Sequence, residues 1–363
     1  MARGAVSVRL HVVLGAGGVG KTTLAAGYAL SLAREEKRRV GLLGIDPSRR
    51  LKDALGIALS DADAPVPGAP RLRASILQPA DSLRRWATEA SSDPNRLARL
   101  FGNPFFAALA DRLATATDIF AAARIAEWAE GDPSLTDLVI DTAPGLNAIE
   151  FLTRPERVAS FLGGRLVGWL RWVARGDTER GPGVLRGGAR RVVAGLVRIA
   201  GSRLLVDLSE FFSLIDAAFA RMLQRVQVAQ LWLRSDSTEI LLVTSGRDDG
   251  APTARGLARA LGRAGLAPRA VVLNRALPAP VVRALGELSA SEHDPAAAPV
   301  LHYALACAAL QERVVEQVRG LAPTLIVLPQ AAGLDAGARL DGLERLGELL
   351  RAGLLQDATT EPA

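Results

Sequence analysis

The sequence predicts an α/β fold: a mostly parallel, doubly wound sheet carrying an inserted α-helical subdomain. Three observations lead there. Short apolar runs alternate with helix-length segments through most of the 363 residues. The first run opens directly onto a glycine-rich loop and then a helix. Two long stretches, about 78–132 and 147–235, have helical periodicity without a convincing strand.

The first strand is Leu10 to Leu14, broken only by His11, and it leads into Gly15-Ala16-Gly17-Gly18-Val19-Gly20-Lys21-Thr22-Thr23. Gly15, four residues, then Gly20-Lys21-Thr22 satisfies the P-loop pattern in its strand–loop–helix setting. Glycines let backbone N–H groups turn inward around phosphate oxygens, and the following helix directs its positive dipole end at them. In that chemistry Lys21 reaches the β- and γ-phosphates and the Thr22 hydroxyl ligates Mg²⁺.

A second apolar run, Val40 to Ile45, ends in Asp46-Pro47-Ser48-Arg49-Arg50-Leu51. Its carboxylate lies at the strand edge where ligands bind in parallel sheets, and it equally suits a helix N-cap followed by Pro at N1. Residues 61–70 read as a loop, and Ala80 to Glu130 as helices interrupted near Ser91-Ser92-Asp93-Pro94 and Gly102-Asn103-Pro104. Leu135 to Ile140 is a strand ending in Asp141-Thr142-Ala143-Pro144-Gly145. An apolar strand terminating in Asp is what a Walker B carboxylate facing Mg²⁺ requires. After the long helical stretch come strands at Ile240–Thr244, Ala270–Leu273 (ending in Asn274-Arg275) and Thr324–Leu328 (ending at Pro329). Helices are expected over about Ala254–Ala264 and Leu340–Leu350, with a disordered tail from Gln356 to Ala363. These make six strands, and with no internal repeat the expected organisation is a single domain over 1–355.

Composition bounds the function. Apolar residues make up 49% and aromatics 4%, so the core is built from Leu, Ala and Val. Net charge is +6, almost all from arginine, because lysine occurs only at Lys21, Lys37 and Lys52. That basicity argues little for nucleic acid as a partner. The single cysteine, Cys307, excludes intrachain disulfides and any Cys-x-x-Cys metal site, and it reads as a small buried hydrophobe. His11 reads as structural, and His293 and His302 lack metal-ligand spacing. Arg3 and Arg9 before apolar residues hint at a secretion signal, but cleavage there would destroy the loop. No run is apolar and long enough to span a bilayer, and a cytoplasmic location is expected, peripheral to a membrane as the alternative.

Taken in order, these segments resemble the family of the arsenite-pump ATPase ArsA and the guided-entry ATPases that deliver tail-anchored membrane proteins. Gly15 to Thr23 resembles the family's deviant P-loop, Ile45 to Leu51 its switch I, and Asp141-Thr142-Ala143-Pro144 its switch II. Phe101-Gly102-Asn103-Pro104 and Phe151-Leu152 to Phe161-Leu162 are similar to its helical insertions. The resemblance implies an ATP- and Mg²⁺-dependent ATPase working as a dimer with itself or a homologue. It assigns Gly15, Gly17, Gly18, Val19, Gly20, Lys21, Thr22 and Thr23 to the phosphates. It assigns Asn274 and the Leu328-Pro329 loop to adenine, Thr22 and Asp141 to Mg²⁺ (the latter through water), and Asp46 to the attacking water.

The departures are informative. Ala16 stands where the family has a signature lysine that reaches the partner's phosphates, a device worth on the order of 10³–10⁵ in rate where such a cation is used. Either Arg49 or Arg50 supplies that charge, or hydrolysis is slow and the protein is a nucleotide-gated binder. Gly145-Leu146-Asn147 replaces the usual Thr-Gly-His of switch II. No cysteine cluster for arsenite and no zinc staple is present, since soft thiolates would be needed.

Residues 158–206 combine Trp169, Leu170 and Trp172 with Arg165, Arg171 and Arg175. Such helices line a groove for a hydrophobic client, lie on an anionic membrane, or simply form the subdomain's core. Two functions of different class follow: an ATP-driven dimer acting on a hydrophobic client or membrane protein, and a positioning switch of the ParA/MinD kind. A weakly active partner subunit of a heteromeric ATPase is a third.

Overall fold

Eight strands form one sheet in the computed structural model, which describes residues 8–46, 50–106, 117–145, 210–211, 214–215, 217–291, 297–330 and 339–358. The strands are β1 (Arg9–Gly15), β2 (Val40–Gly44), β3 (Ala64–Val66), β4 (Ala69–Ile76), β5 (Asp137–Asp141), β6 (Thr238–Ser245), β7 (Ala270–Ala276) and β8 (Thr324–Pro329). Their order is β3-β4-β2-β5-β1-β6-β7-β8, parallel throughout except that β3 runs antiparallel to β4. The strand that carries the glycine-rich loop is thus central, paired with β5 on one side and β6 on the other. Strand order reverses around it, which places a crevice at the carboxyl ends of β1, β2 and β5, where ligands bind in open sheets of this type.

The helices with defined bounds are α1 (Lys21–Ala33), α2 (Arg50–Leu55), α3 (Pro79–Ala90), α4 (Pro94–Gly102), α5 (Thr117–Gly131), α6 (Gly250–Arg263), α7 (Ala279–Ser291), α8 (Ala298–Val318) and α9 (Arg339–Ala358). Helix α1 is apolar nearly all round, with Leu24 through Ala33 buried, as a helix enclosed by protein must be. It is covered by α9, and the two approach through Gly27 and Gly347. A Cβ at Gly347 would collide with the Gly27 carbonyl, and one at Gly27 with the Leu343 carbonyl.

The described residues fall into two compact units. One lies within 1–77, 128–153 and 231–363 and contains the sheet; the other lies within 78–127 and 154–230 and is helical. The helical unit has its own core. Trp86 stacks on Phe120 at 5.4 Å and donates its indole N–H to Glu127 at 2.8 Å. Arg85 and Arg124 pair with the same carboxylate, at 2.7 and 3.2 Å. Burial, the largest single influence, pushes the Glu127 pKa upward. The Arg85 hydrogen bond and the arginine charges outweigh it and hold the carboxyl below its usual range.

Three expectations are corrected. Residues 61–70 are not simply loop: β3 and β4 form a hairpin about Gly68 (φ 78°), raising the strands from six to eight. Pro65, Gly68 and Pro70 suggested a turn alone, but β3 is an edge strand, where a missing N–H is tolerated. Leu72, Ala74 and Ile76 then bury one face of β4. The last helix continues to Ala358, eight residues beyond Leu350, so residues 356–358 are helical; 359–363 lie outside the described residues. Cys307 is half-exposed on α8 rather than buried.

The amino-terminal edge of the sheet holds a buried polar cluster. His11 bonds Asp137 and Glu239, each at 3.0 Å, while Arg38 reaches Asp137 at 2.8 Å and Tyr28 stands edge-on to the imidazole. His11 is therefore a satisfied core histidine at the end of the sheet opposite the glycine-rich loop.

Candidate nucleotide-binding site

The loop's shape follows from its glycines. Gly18 (φ 78°) and Gly20 (φ 91°) occupy the left-handed region that side chains disfavour. Gly15 is packed so closely on the Val243 carbonyl that no Cβ would fit, which fixes where the loop leaves the sheet. Gly20 caps α1 without a side-chain hydrogen bond, so the N–H groups of the first turn stay free to meet an anion. Lys21 is 95% buried by exposure of its surface and curls back to donate to the Ala16 carbonyl at 2.8 Å. Burial lowers its pKa, partly opposed by the carboxylates of Asp141 and Asp46.

Two backbone bonds bring the acidic residues to this loop. Ile45 N–H donates to the Asp141 carbonyl at 2.8 Å, aligning the ends of β2 and β5, and Gly145 N–H donates to the Gly15 carbonyl at 3.1 Å. Thr142 Oγ1 adds a bond to the Val13 carbonyl at 2.7 Å. Asp141 is buried and hydrogen-bonded to the Thr22 hydroxyl, and desolvation raises its pKa to about 7. Its Oδ1 oxygen has no hydrogen-bond partner among the described residues. A buried carboxylate oxygen left unsatisfied beside a hydroxyl suits a hard divalent cation or its hydration shell, so the donor set fits Mg²⁺. Asp46 lies near both, and Arg50 approaches it at 4.0 Å. Arg49 lies outside the described residues.

A cavity of about 530 Å³ opens over the loop, lined by Lys21, Thr22 and Thr23 together with Arg50, Arg275 and Arg339. A second, of about 250 Å³, lies on the other side of Gly18, between Arg247, Arg275, Cys307 and Gln311. Asn274 lines neither. It is buried with its Nδ2 donating to the Val19 carbonyl at 2.9 Å, behind the loop, where it fills the space a Cβ on Gly20 would take. Pro329 ends β8 opposite Ala276 and also lines neither cavity. Sequence reasoning missed Arg275, Arg339 and Gln311. Arg275 had the one available signal, its place directly after a strand end at the ligand edge.

The sheet and its glycine-rich strand–loop–helix define a P-loop nucleotide-binding α/β protein. Residues 8–173 match the family described as anion-transporting ATPase, the ArsA type. The chain is 32% identical over 160 residues to the ATPase get3 of Schizosaccharomyces pombe, covering 43% of this chain and 46% of that protein. To the arsenical pump-driving ATPase of Acidiphilium multivorum it is 28% identical over 157 residues, 41% of this chain and 26% of the other. An uncharacterised protein of Streptomyces coelicolor is 31% identical over 283 residues, 75% of this chain and 63% of that protein. The chain thus spans less than half the length of the two named ATPases. Among the described residues, no helix is long and apolar enough to cross a membrane.

Proposed function

We propose that the protein binds and hydrolyses Mg²⁺-ATP as a nucleotide-driven dimer switch acting on a hydrophobic client or a membrane-associated partner. One observation carries the reading: a glycine cradle with a buried lysine, faced by Thr22 and by a buried Asp141 oxygen that no described residue satisfies. Backbone amides from Gly15 to Thr23, with Gly17, Gly18 and Val19 at the turn, hold the phosphates, and the Lys21 ammonium neutralises their charge. Thr22 and Asp141 hold the cation, which when bound offsets charge developing on the phosphoryl oxygens. Asp46 orients the attacking water. Asn274 and Pro329 take the base, Asn274 after turning from the Val19 carbonyl. Arg49 or Arg50 offsets the absence of a cation at residue 16. The segment proposed to meet the client, 158–206, lies outside the described residues. The arsenical pump and get3 relatives are ATPases by name, which supports the reaction without fixing the client.

Calorimetry of the full chain with Mg²⁺-ATP tests the reading, with sedimentation analysis alongside. Saturable uptake by the wild type, at least tenfold weaker in Lys21→Ala, together with nucleotide-promoted dimerisation, is the expected result. No uptake by the folded wild type would refute it.

A further inference from the structure

Arg275 is the only described residue other than glycine with a positive φ, 60°. The cause is a bulge. Leu273 pairs with Val327 and Ala276 with Pro329, so Asn274 and Arg275 together oppose the single residue Leu328. A side chain is disfavoured in the left-handed region, and a long one persists there only where its surroundings impose it; such outliers gather at ligand sites. Here the bulge turns two consecutive side chains onto the glycine-rich loop: Asn274 to the Val19 carbonyl at 2.9 Å, and Arg275 Nη1 to the Gly18 carbonyl at 3.1 Å. Arg275 is also the one side chain that borders both cavities flanking that loop.

Its neighbours are otherwise engaged. Lys21 donates to Ala16, Arg50 faces Asp46, and Arg339 donates to the Asp53 carbonyl. Arg275 is exposed, makes no ion pair with a described carboxylate, and spends one N–H of its five-donor fork on a carbonyl. A guanidinium held by one arm at the rim of an anion cradle, with its remaining donors uncommitted among the described residues, suits bidentate contact with phosphate oxygens.

We propose that Arg275 is a phosphate-contacting residue of the nucleotide site, supplied in cis from the β7 bulge and directed at the terminal phosphate rather than at the base. This rests on nucleotide binding at the glycine-rich loop. It distinguishes Arg275 from a residue that only braces Gly18, because a brace would weaken every nucleotide alike.

The test is calorimetric titration of the full chain with Mg²⁺-ATP and Mg²⁺-ADP, using wild type, Lys21→Ala, Arg275→Gly and Arg275→Lys. Arg275→Gly removes the guanidinium while relieving the left-handed backbone, so its thermal midpoint should equal or exceed that of the wild type. The expected result is a tenfold or greater loss of ATP affinity, a loss of threefold or less for ADP, and an intermediate value for Arg275→Lys. Equal losses for ATP and ADP, or wild-type affinities in Arg275→Gly, would overturn the assignment. Should Arg275→Gly melt below the wild type, the same comparison of ATP with ADP in Arg275→Lys decides. A wild type that binds neither nucleotide would instead sink the reading of the loop itself.

Discussion

At the scale of single residues, the loop is a set of spaces that only particular side chains can occupy. Gly20 combines a left-handed backbone with the absence of room for a Cβ, because Asn274 already stands there bonded to Val19. Gly20→Ala should therefore destabilise by about 2 kcal/mol or more, summing left-handed strain with the clash. Asn274→Ala should cost about 1–3 kcal/mol through the unsatisfied Val19 carbonyl. Because the two share one contact, the double variant should be more stable than the sum of the singles predicts, by about 0.5 kcal/mol or more. Urea unfolding of the four proteins checks this, and strict additivity would contradict the packing described. The glycines and lysine of this loop are legible in sequence because their conformations are local backbone chemistry. Arg275 is not. Nothing in Asn274-Arg275 announces a left-handed residue; the β7–β8 register imposes it.

At the scale of elements, alternation of apolar runs with helices identifies the six main parallel strands, since buried parallel strands read as continuous hydrophobic runs. The β3–β4 hairpin escapes that reading. An edge hairpin with two prolines and a turn glycine carries the same local signal as a loop, and only pairing to β2 distinguishes it. Helix α9 illustrates a second limit. Its length and its partner are set by packing on α1, where Gly27 and Gly347 let the backbones approach, a contact between residues far apart in sequence. Gly347→Ala should separate these helices and lower stability by about 1–3 kcal/mol, despite alanine's better helix propensity. Arg339 and Leu343 on α9 line the larger cavity, so the same variant should also weaken nucleotide binding. A thermal midpoint unchanged from wild type would disprove the close approach.

At the scale of the whole molecule, stability is tied to pH through two buried clusters. Burial alone would lower the His11 pKa, but its bonds to Asp137 and Glu239 outweigh that and raise it above 6.5. Its contribution is then complete below pH 6.5 and is lost as pH rises through the folded value. Asp137, Glu239 and Glu127 are held below their ordinary values, so their contributions are present above about pH 4.5 and lost as pH falls through the folded values. These two clusters should contribute a plateau between about pH 4.5 and 6.5 that declines on both sides, superimposed on the fall from about pH 4 to 7 that the raised Asp141 carboxyl imposes. The alkaline decline should amount to about 1.4 kcal/mol for each unit by which His11 is raised. Urea midpoints measured from pH 4 to 9 test this: His11→Gln should remove the slope above pH 7 and shrink the acid one to what Glu127 and the Thr136 and Arg38 contacts of Asp137 supply. A wild-type curve flat from pH 6 to 9 would refute it. Sequence alone gave His11 a structural role, while its two carboxylate partners sit 126 and 228 residues away and became visible only in the assembled sheet.

Gly145, four residues beyond the end of β5, fastens its amide to the carbonyl of Gly15, where the glycine-rich loop begins. Gly145 thus ties the residues that follow Asp141 to the rim of the cradle, far from it in sequence yet bonded to its first glycine.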